Sequence, residues 1–130
     1  MPFPSRAPLA LRTLLAVLAL ARPGPVPAQE VSLLVQRSVL AGYRYYEAPA
    51  LAAAIEPGED LDLVREPDNP HDANAVRVEW RGRKLGYVPR ASNAALAWAM
   101  DRGETVTARV AREETRRRGR RRVVFDVLLR

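Results

Sequence analysis

The sequence has no cysteine, one histidine (His71) and one lysine (Lys84) in 130 residues. Without cysteine there is no disulfide frame, no thiolate nucleophile and no Cys-based zinc site. A zinc site would have to lean on carboxylates around a single imidazole, which suits zinc poorly, so zinc fingers and Fe–S proteins are excluded and no metal or cofactor is expected. There is no G-x-x-x-x-G-K-S/T run to cradle a nucleotide, and no nucleophile–base pair to support a hydrolase, so no catalytic residue is assigned. The chain is also too short for a two-domain enzyme. No apolar run approaches the ~20 residues that cross a bilayer.

The longest such run, residues 14–21, belongs to a distinct N-terminal segment. Residues 1–28 carry Arg6, Arg12 and Arg22 and no acid, then Leu14 to Ala21, then Pro23-Gly24-Pro25 and Val26-Pro27-Ala28. A basic start, a short apolar middle and a small-x-small exit are the parts of a secretory signal peptide cut after Ala28. This predicts export to the periplasm or outside, with no membrane anchoring after cleavage and a domain over 29–130. The alternative is a misplaced start codon in GC-rich sequence, which would leave the protein cytoplasmic.

Positive charge is concentrated in one place. The net charge is +6, yet Arg109 to Arg122 alone holds eight Arg and two Glu, so the rest of the chain after residue 28 is acidic. That distribution argues against a protein that coats nucleic acid with its whole surface and for a local basic patch. The dense run 116–122 is an ordinary solvated loop or a phosphate footprint, with Arg117, Arg118, Arg120 and Arg121 as the possible contacts.

Hydrophobic periodicity predicts a mainly β domain. Val31 to Leu40 is β-branched and aliphatic, while Asp60 to Arg65 and Ala75 to Trp80 alternate polar and apolar, the pattern of half-buried strands. Arg81-Gly82 turns into Lys84 to Val88 as a hairpin, and Thr105 to Val110 and Val123 to Leu128 are two more strands joined through the arginine run. Ala48 to Ile55 is loop or a short helix. Asn93 to Arg102 is a helix, with Ser92 as its cap and Gly103 as its stop. Trp80 and Trp98 are read as core or rim packing. Adjacent Tyr45 and Tyr46 on extended chain would point to opposite sides, one to core and one to surface. Six strands with one or two short helices protect their edges best by barrel-like closure.

The run Arg65-Glu66-Pro67-Asp68-Asn69-Pro70-His71-Asp72-Ala73-Asn74-Ala75, followed by Leu85-Gly86-Tyr87-Val88-Pro89-Arg90, resembles the HIRAN domain family. Arg44-Tyr45-Tyr46 ahead of it and a helix ending Met100-Asp101-Arg102-Gly103 behind it fit in order, so the resemblance covers residues 31–129. It implies a small OB-like six-stranded β-barrel. In eukaryotic relatives that module sits at the front of a DNA translocase and grips the 3′ end of single-stranded DNA. Carried over, Arg44 and Tyr45 match a pair that meets backbone and stacks on a base. Asn69, His71 and Asp72 match the loop around the terminal nucleotide, the carboxylate receiving its 3′-hydroxyl, and Tyr87 and Arg90 match the contacts to the terminal backbone. Two departures stand out: His71 replaces a frequent Tyr, and Ala111 to Thr115 offer no counterpart to a base-stacking aromatic.

The residues agree with that role independently of the family. Single-strand binders need π-faces for bases and cations for phosphates, which Arg44, Tyr45, Tyr46, Tyr87 and Arg90 supply. A carboxylate repels phosphate, so Asp72 makes sense in such a site only where a hydroxyl donates to it. By spacing alone Asn69-Pro70-His71-Asp72 is a turn, since Asn and Asp bond their own backbone and Pro fixes φ. The expectation is therefore a non-enzymatic module for single-stranded DNA and its 3′ end. The alternative is an exported protein-interaction or structural β-module whose DNA site has drifted.

Overall fold

The computed structural model describes residues 2–4, 21–25 and 31–130. Residues 14–20 of the expected apolar run and the cut after Ala28 fall outside the described residues. Six strands form one antiparallel sheet in the order β1-β6-β5-β2-β3-β4: β1 Leu33–Val39, β2 Asp60–Arg65, β3 Val76–Trp80, β4 Arg83–Tyr87, β5 Val106–Thr115 and β6 Arg121–Leu129. The short helix α1 (Ala48–Leu51) runs on into a 3-10 turn, and α2 (Ala94–Asp101) lies between β4 and β5.

The alternating strands behave as their period dictates. Val76, Val78 and Trp80 of β3 are buried while Arg77 and Glu79 between them face outward, half-buried. Inward residues from β2 to β6 join Leu40, Ile55, Leu96 and Ala97 in one core centred on Phe125, Leu85 and the β3 valines. β2 curls the sheet, because its first residues pair with β5 (Leu61↔Ala108) and its last with β3 (Arg65↔Val76).

The sheet is barrel-like, its two edges meeting at a single point. Just past β1, Ala41 exchanges both backbone hydrogen bonds with Tyr87 of β4, at 2.9 and 3.0 Å. Gly86 permits that approach: a Cβ there would stand 2.2 Å from the Ala41 carbonyl oxygen, closer than non-bonded atoms approach. The glycine of the Leu85-Gly86-Tyr87 motif is thus explained by closure.

Three expectations need correction. The β5–β6 hairpin is longer than its apolar content suggested: the ladder continues to Thr115↔Arg121, and Arg121 and Arg122 are strand residues held across it by Glu113 and Glu114. Ser92 does not cap α2; it sits in a 3-10 turn and its hydroxyl donates to the Pro89 carbonyl, while Asn93 holds the cap position. Gly103 does end the helix, at φ +86 with the Glu104 and Gly103 amides closing back onto Ala99 and Met100. Of the two tryptophans, Trp80 is buried beneath the Arg81 guanidinium, but Trp98 is 58% exposed on the outer face of α2.

Candidate nucleic-acid interface

The loop between β2 and β3 is built from its own side chains. Asn69 Oδ1 accepts from the His71 and Asp72 amides at 2.9 and 3.2 Å, and Asp72 Oδ1 accepts from the Asn74 amide at 2.9 Å. These are Asx turns, so the turn reading of the tetrad holds for its backbone. The loop leaves Asn69, His71 and Asp72 on the wall of a cleft of about 290 Å³, opposite Tyr46, Tyr87 and Arg90. Five of the seven expected site residues therefore meet in one place.

Asp72 is fixed there from three directions. Asn93 Nδ2 donates to its Oδ2 at 2.7 Å, Asn74 holds its Oδ1, and Arg90 Nε stands 3.7 Å away. The Asn93 bond first, then the Asn74 amide and the Arg90 and Arg65 charges, outweigh desolvation and hold the carboxyl below its ordinary pKa. Its side chain stays 20% exposed toward the cleft. An ionised carboxylate has about four acceptor positions, so capacity remains for a hydroxyl from the cleft side. Arg90 also donates to the His71 carbonyl, which clamps the loop to the turn after β4.

Two residues that organise the cleft were missing from the expected set. Asn93 is 2% exposed and spends its amide on Asp72, 21 residues away, which no local pattern announces. Glu66 is the hub behind the cleft: its Oε1 accepts from Asn69 Nδ2 at 3.0 Å and from the Tyr87 hydroxyl at 2.9 Å, and its Oε2 from Arg77 at 2.8 Å. Burial alone would raise its pKa, but the bonds from Asn69, Tyr87 and Arg77 hold it low. Lys84 lies 4.0 Å from the Tyr46 ring centre and 4.6 Å from that of Tyr87, and those two rings meet edge to face at 5.7 Å. Glu66 precedes Pro67 in the recognised motif, so proximity to the loop was the available signal.

Arg44 and Tyr45 lie elsewhere. The chain at Tyr43–Tyr45 is a 3-10 turn entered through Gly42 in the left-handed region, so the extended-chain rule does not apply. Tyr45 is 75% exposed and Tyr46 38%, and neither enters the core, contrary to expectation. Tyr45 carries the Arg44 guanidinium 5.9 Å from its ring centre. Both line a second, larger groove of about 790 Å³ with Tyr43, Pro49, Gly119, Arg120 and Arg121. Arg44 thus lines the groove and not the Asp72 cleft. No residue from 111 to 115 lines either hollow; the aromatic faces come from the 43–46 turn and from Tyr87.

The tip splits the arginine run in two. Arg109, Arg112, Arg121 and Arg122 face Asp126, Glu114, Glu113 and Glu114. Arg116, Arg117, Arg118 and Arg120 line a third hollow of about 500 Å³ and have no ion-pair partner among the described residues. The expected set therefore includes one paired residue, Arg121, and omits one unpaired residue, Arg116.

These positions can be set against known proteins. The HIRAN domain family matches residues 33–130. The chain belongs to the HIRAN domain family. Over 66 residues this HIRAN domain is 38% identical to the helicase-like transcription factor of Oryctolagus cuniculus and 36% identical to that of Mus musculus. Each match takes in 50% of the chain and only 6% of the relative's length. Among solved structures, the HIRAN domain of human HLTF is 25% identical with a TM-score of 0.58, covering 75% of this chain and 74% of that one. A Lactobacillus plantarum protein shares the fold, at 24% identity and a TM-score of 0.61, over 75% of this chain and 96% of its own.

Proposed function

We propose that this HIRAN domain is a non-enzymatic nucleic-acid-binding module that takes single-stranded DNA by its 3′-hydroxyl end. The observation that carries the reading is Asp72: an acid held ionised by Asn93, Asn74 and Arg90, yet open to a cleft walled by Tyr46, Tyr87 and His71. A terminal hydroxyl donates to such a group in a charge-assisted bond, whereas a phosphate meets like charge. Tyr87 and Arg90 then face the terminal sugar-phosphate, and Tyr45, exposed in the adjoining groove, offers a π-face to a base. The helicase-like relatives support binding to DNA as the setting. The test is fluorescence anisotropy at one fixed salt, with a short oligonucleotide ending in 3′-OH and the same one ending in 3′-phosphate. The hydroxyl form should bind about tenfold more tightly. Asp72→Ala should erase most of that preference, while Tyr45→Ala should weaken both forms alike. Equal affinity for the two ends in the unaltered protein overturns end recognition.

The same proposal includes export with cleavage after Ala28, motivated by Val26-Pro27-Ala28 behind the apolar run. Intact mass from the native host should then begin at Gln29, and full-length protein in the cytosol would overturn it. A second reading, a protein-interaction module, is favoured by one observation: Val31, Leu33, Leu34 and Val35 are apolar and exposed at the start of the edge strand β1.

A further inference from the structure

The three hollows stand in series. Ala41 and Tyr46 line the Asp72 cleft, while Gly42, Tyr43, Arg44 and Tyr45 between them line the large groove. One five-residue turn, 42–46, is thus the wall shared by both. Arg120 is in turn shared by the large groove and the arginine hollow. The resulting track has an acid at one end and four unpaired guanidiniums at the other.

That charge order gives the track a direction. With the 3′-hydroxyl on Asp72, as the end-recognition reading has it, every further nucleotide lies on the 5′ side and brings a phosphate that the acid would repel. Four like charges on one short tip repel one another, and a run of phosphates relieves that repulsion. The tip is made of backbone-seeking groups without an aromatic among residues 116–120, so it can hold phosphates and offers no aromatic ring to a base.

We propose that a bound strand runs 3′ to 5′ from Asp72, over Tyr45, to Arg120 and then Arg116, Arg117 and Arg118, so that the tip is a sequence-blind rail for the phosphates on the 5′ side of the gripped end. This rests on the end-recognition reading and adds to it the polarity and the length of the footprint. The preferred ligand is then a single-stranded 3′ tail of several nucleotides, in the lower part of the roughly 4–16-nucleotide range of single-strand sites on OB folds.

The experiment uses the full chain and an eight-nucleotide DNA with a free 3′-hydroxyl, with methylphosphonate linkages, which carry no charge, placed in either the 5′ half or at the 3′-terminal linkage. In the unaltered protein, neutral 5′ linkages should weaken binding severalfold and flatten the log–log salt dependence by roughly 0.7 per phosphate removed from the rail. In the quadruple variant Arg116→Ser, Arg117→Ser, Arg118→Ser and Arg120→Ser, the same 5′ linkages should cost nothing, while the preference for 3′-OH over 3′-phosphate persists. If that preference is present and neutral 5′ linkages cost nothing in the unaltered protein, the rail is wrong and end recognition stands. If they cost as much in the variant as in the unaltered protein, the rail is likewise wrong. If the end preference itself is absent, end recognition falls and the polarity falls with it.

Discussion

In the cleft, Asp72, Asn69, Glu66 and Tyr87 are each bonded to another side chain or to the loop backbone. At the tip, four guanidiniums have no ion-pair partner among the described residues. Both regions are polar and both lie at the protein surface, but they are ordered by opposite means. The cleft is held in place before anything binds, with Asn93 and Glu66 fixing its acid, its loop and its tyrosine from behind. The tip is held by the ladder below it, where Arg121 and Arg122 are neutralised by Glu113 and Glu114, and by one backbone bond from the Arg116 amide to the Arg120 carbonyl. Preorganised polar groups give discrimination, because a wrong ligand leaves them unsatisfied. A loose cluster of cations gives attraction that salt screens and that does not distinguish ligands.

The change with the largest effect should erase the contrast. Gly86→Ala places a methyl against the Ala41 carbonyl at the point where the sheet edges meet. The backbone must move, so a loss of about 3 kcal/mol or more is expected, at the upper end for overpacked sites, measured by urea denaturation. Both DNA phenotypes should go with the fold.

Next in size, Asn93→Ala should separate the regions. It removes the closest donor to Asp72, so the preference for a 3′-OH end should fall from about tenfold toward unity. The salt dependence, which the proposed rail assigns to the tip, should be unchanged. A variant that loses both together would mean that the two regions are not independent.

Acid should act on the cleft as well. The Glu66 and Asp72 carboxyls both titrate below their ordinary values in the folded chain. The unfolded chain therefore takes up protons first as pH falls. The stabilisation these groups provide is complete above the ordinary carboxylate range, around pH 4, and is lost as pH drops through their folded values. Unfolding followed from pH 6 downward should show stability falling below about pH 4 in the unaltered protein. The fall should be shallower in Glu66→Gln. Smallest of all, the tip variant with four serines should keep its stability within about 0.5 kcal/mol, since it alters exposed positions only.

Much of the fold was legible because strands of period two and the Arg81-Gly82 turn are local signals. That turn places both residues at positive φ, 48 and 77, as a tight hairpin requires. The motif run brought five site residues to one cleft. What was not legible depended on partners far apart in sequence. Arg121 and Arg122 read as tip until Glu113 and Glu114 are seen opposite them. Ser92 and Asn93 are equally good caps by type, but Asn93 takes the cap position and is the residue that reaches Asp72. Tyr45 and Tyr46 were assigned by an extended-chain rule that the 3-10 turn after Gly42 sets aside. Trp98 lies on a helix whose inward face is carried by Leu96, Ala97 and the partly buried Met100.

The pairing of β1 with β6 has a consequence in time. Leu33 lies opposite Leu129, so strands at the two ends of the domain are neighbours in the finished sheet. Pairings this distant in sequence are slow to form, because a long loop must close before any contact rewards it. During synthesis the first strand must wait, with its backbone N–H and C=O groups unpaired by β6, until nearly the whole domain has left the ribosome. The barrel therefore completes late, with the pairing of its first strand against its last.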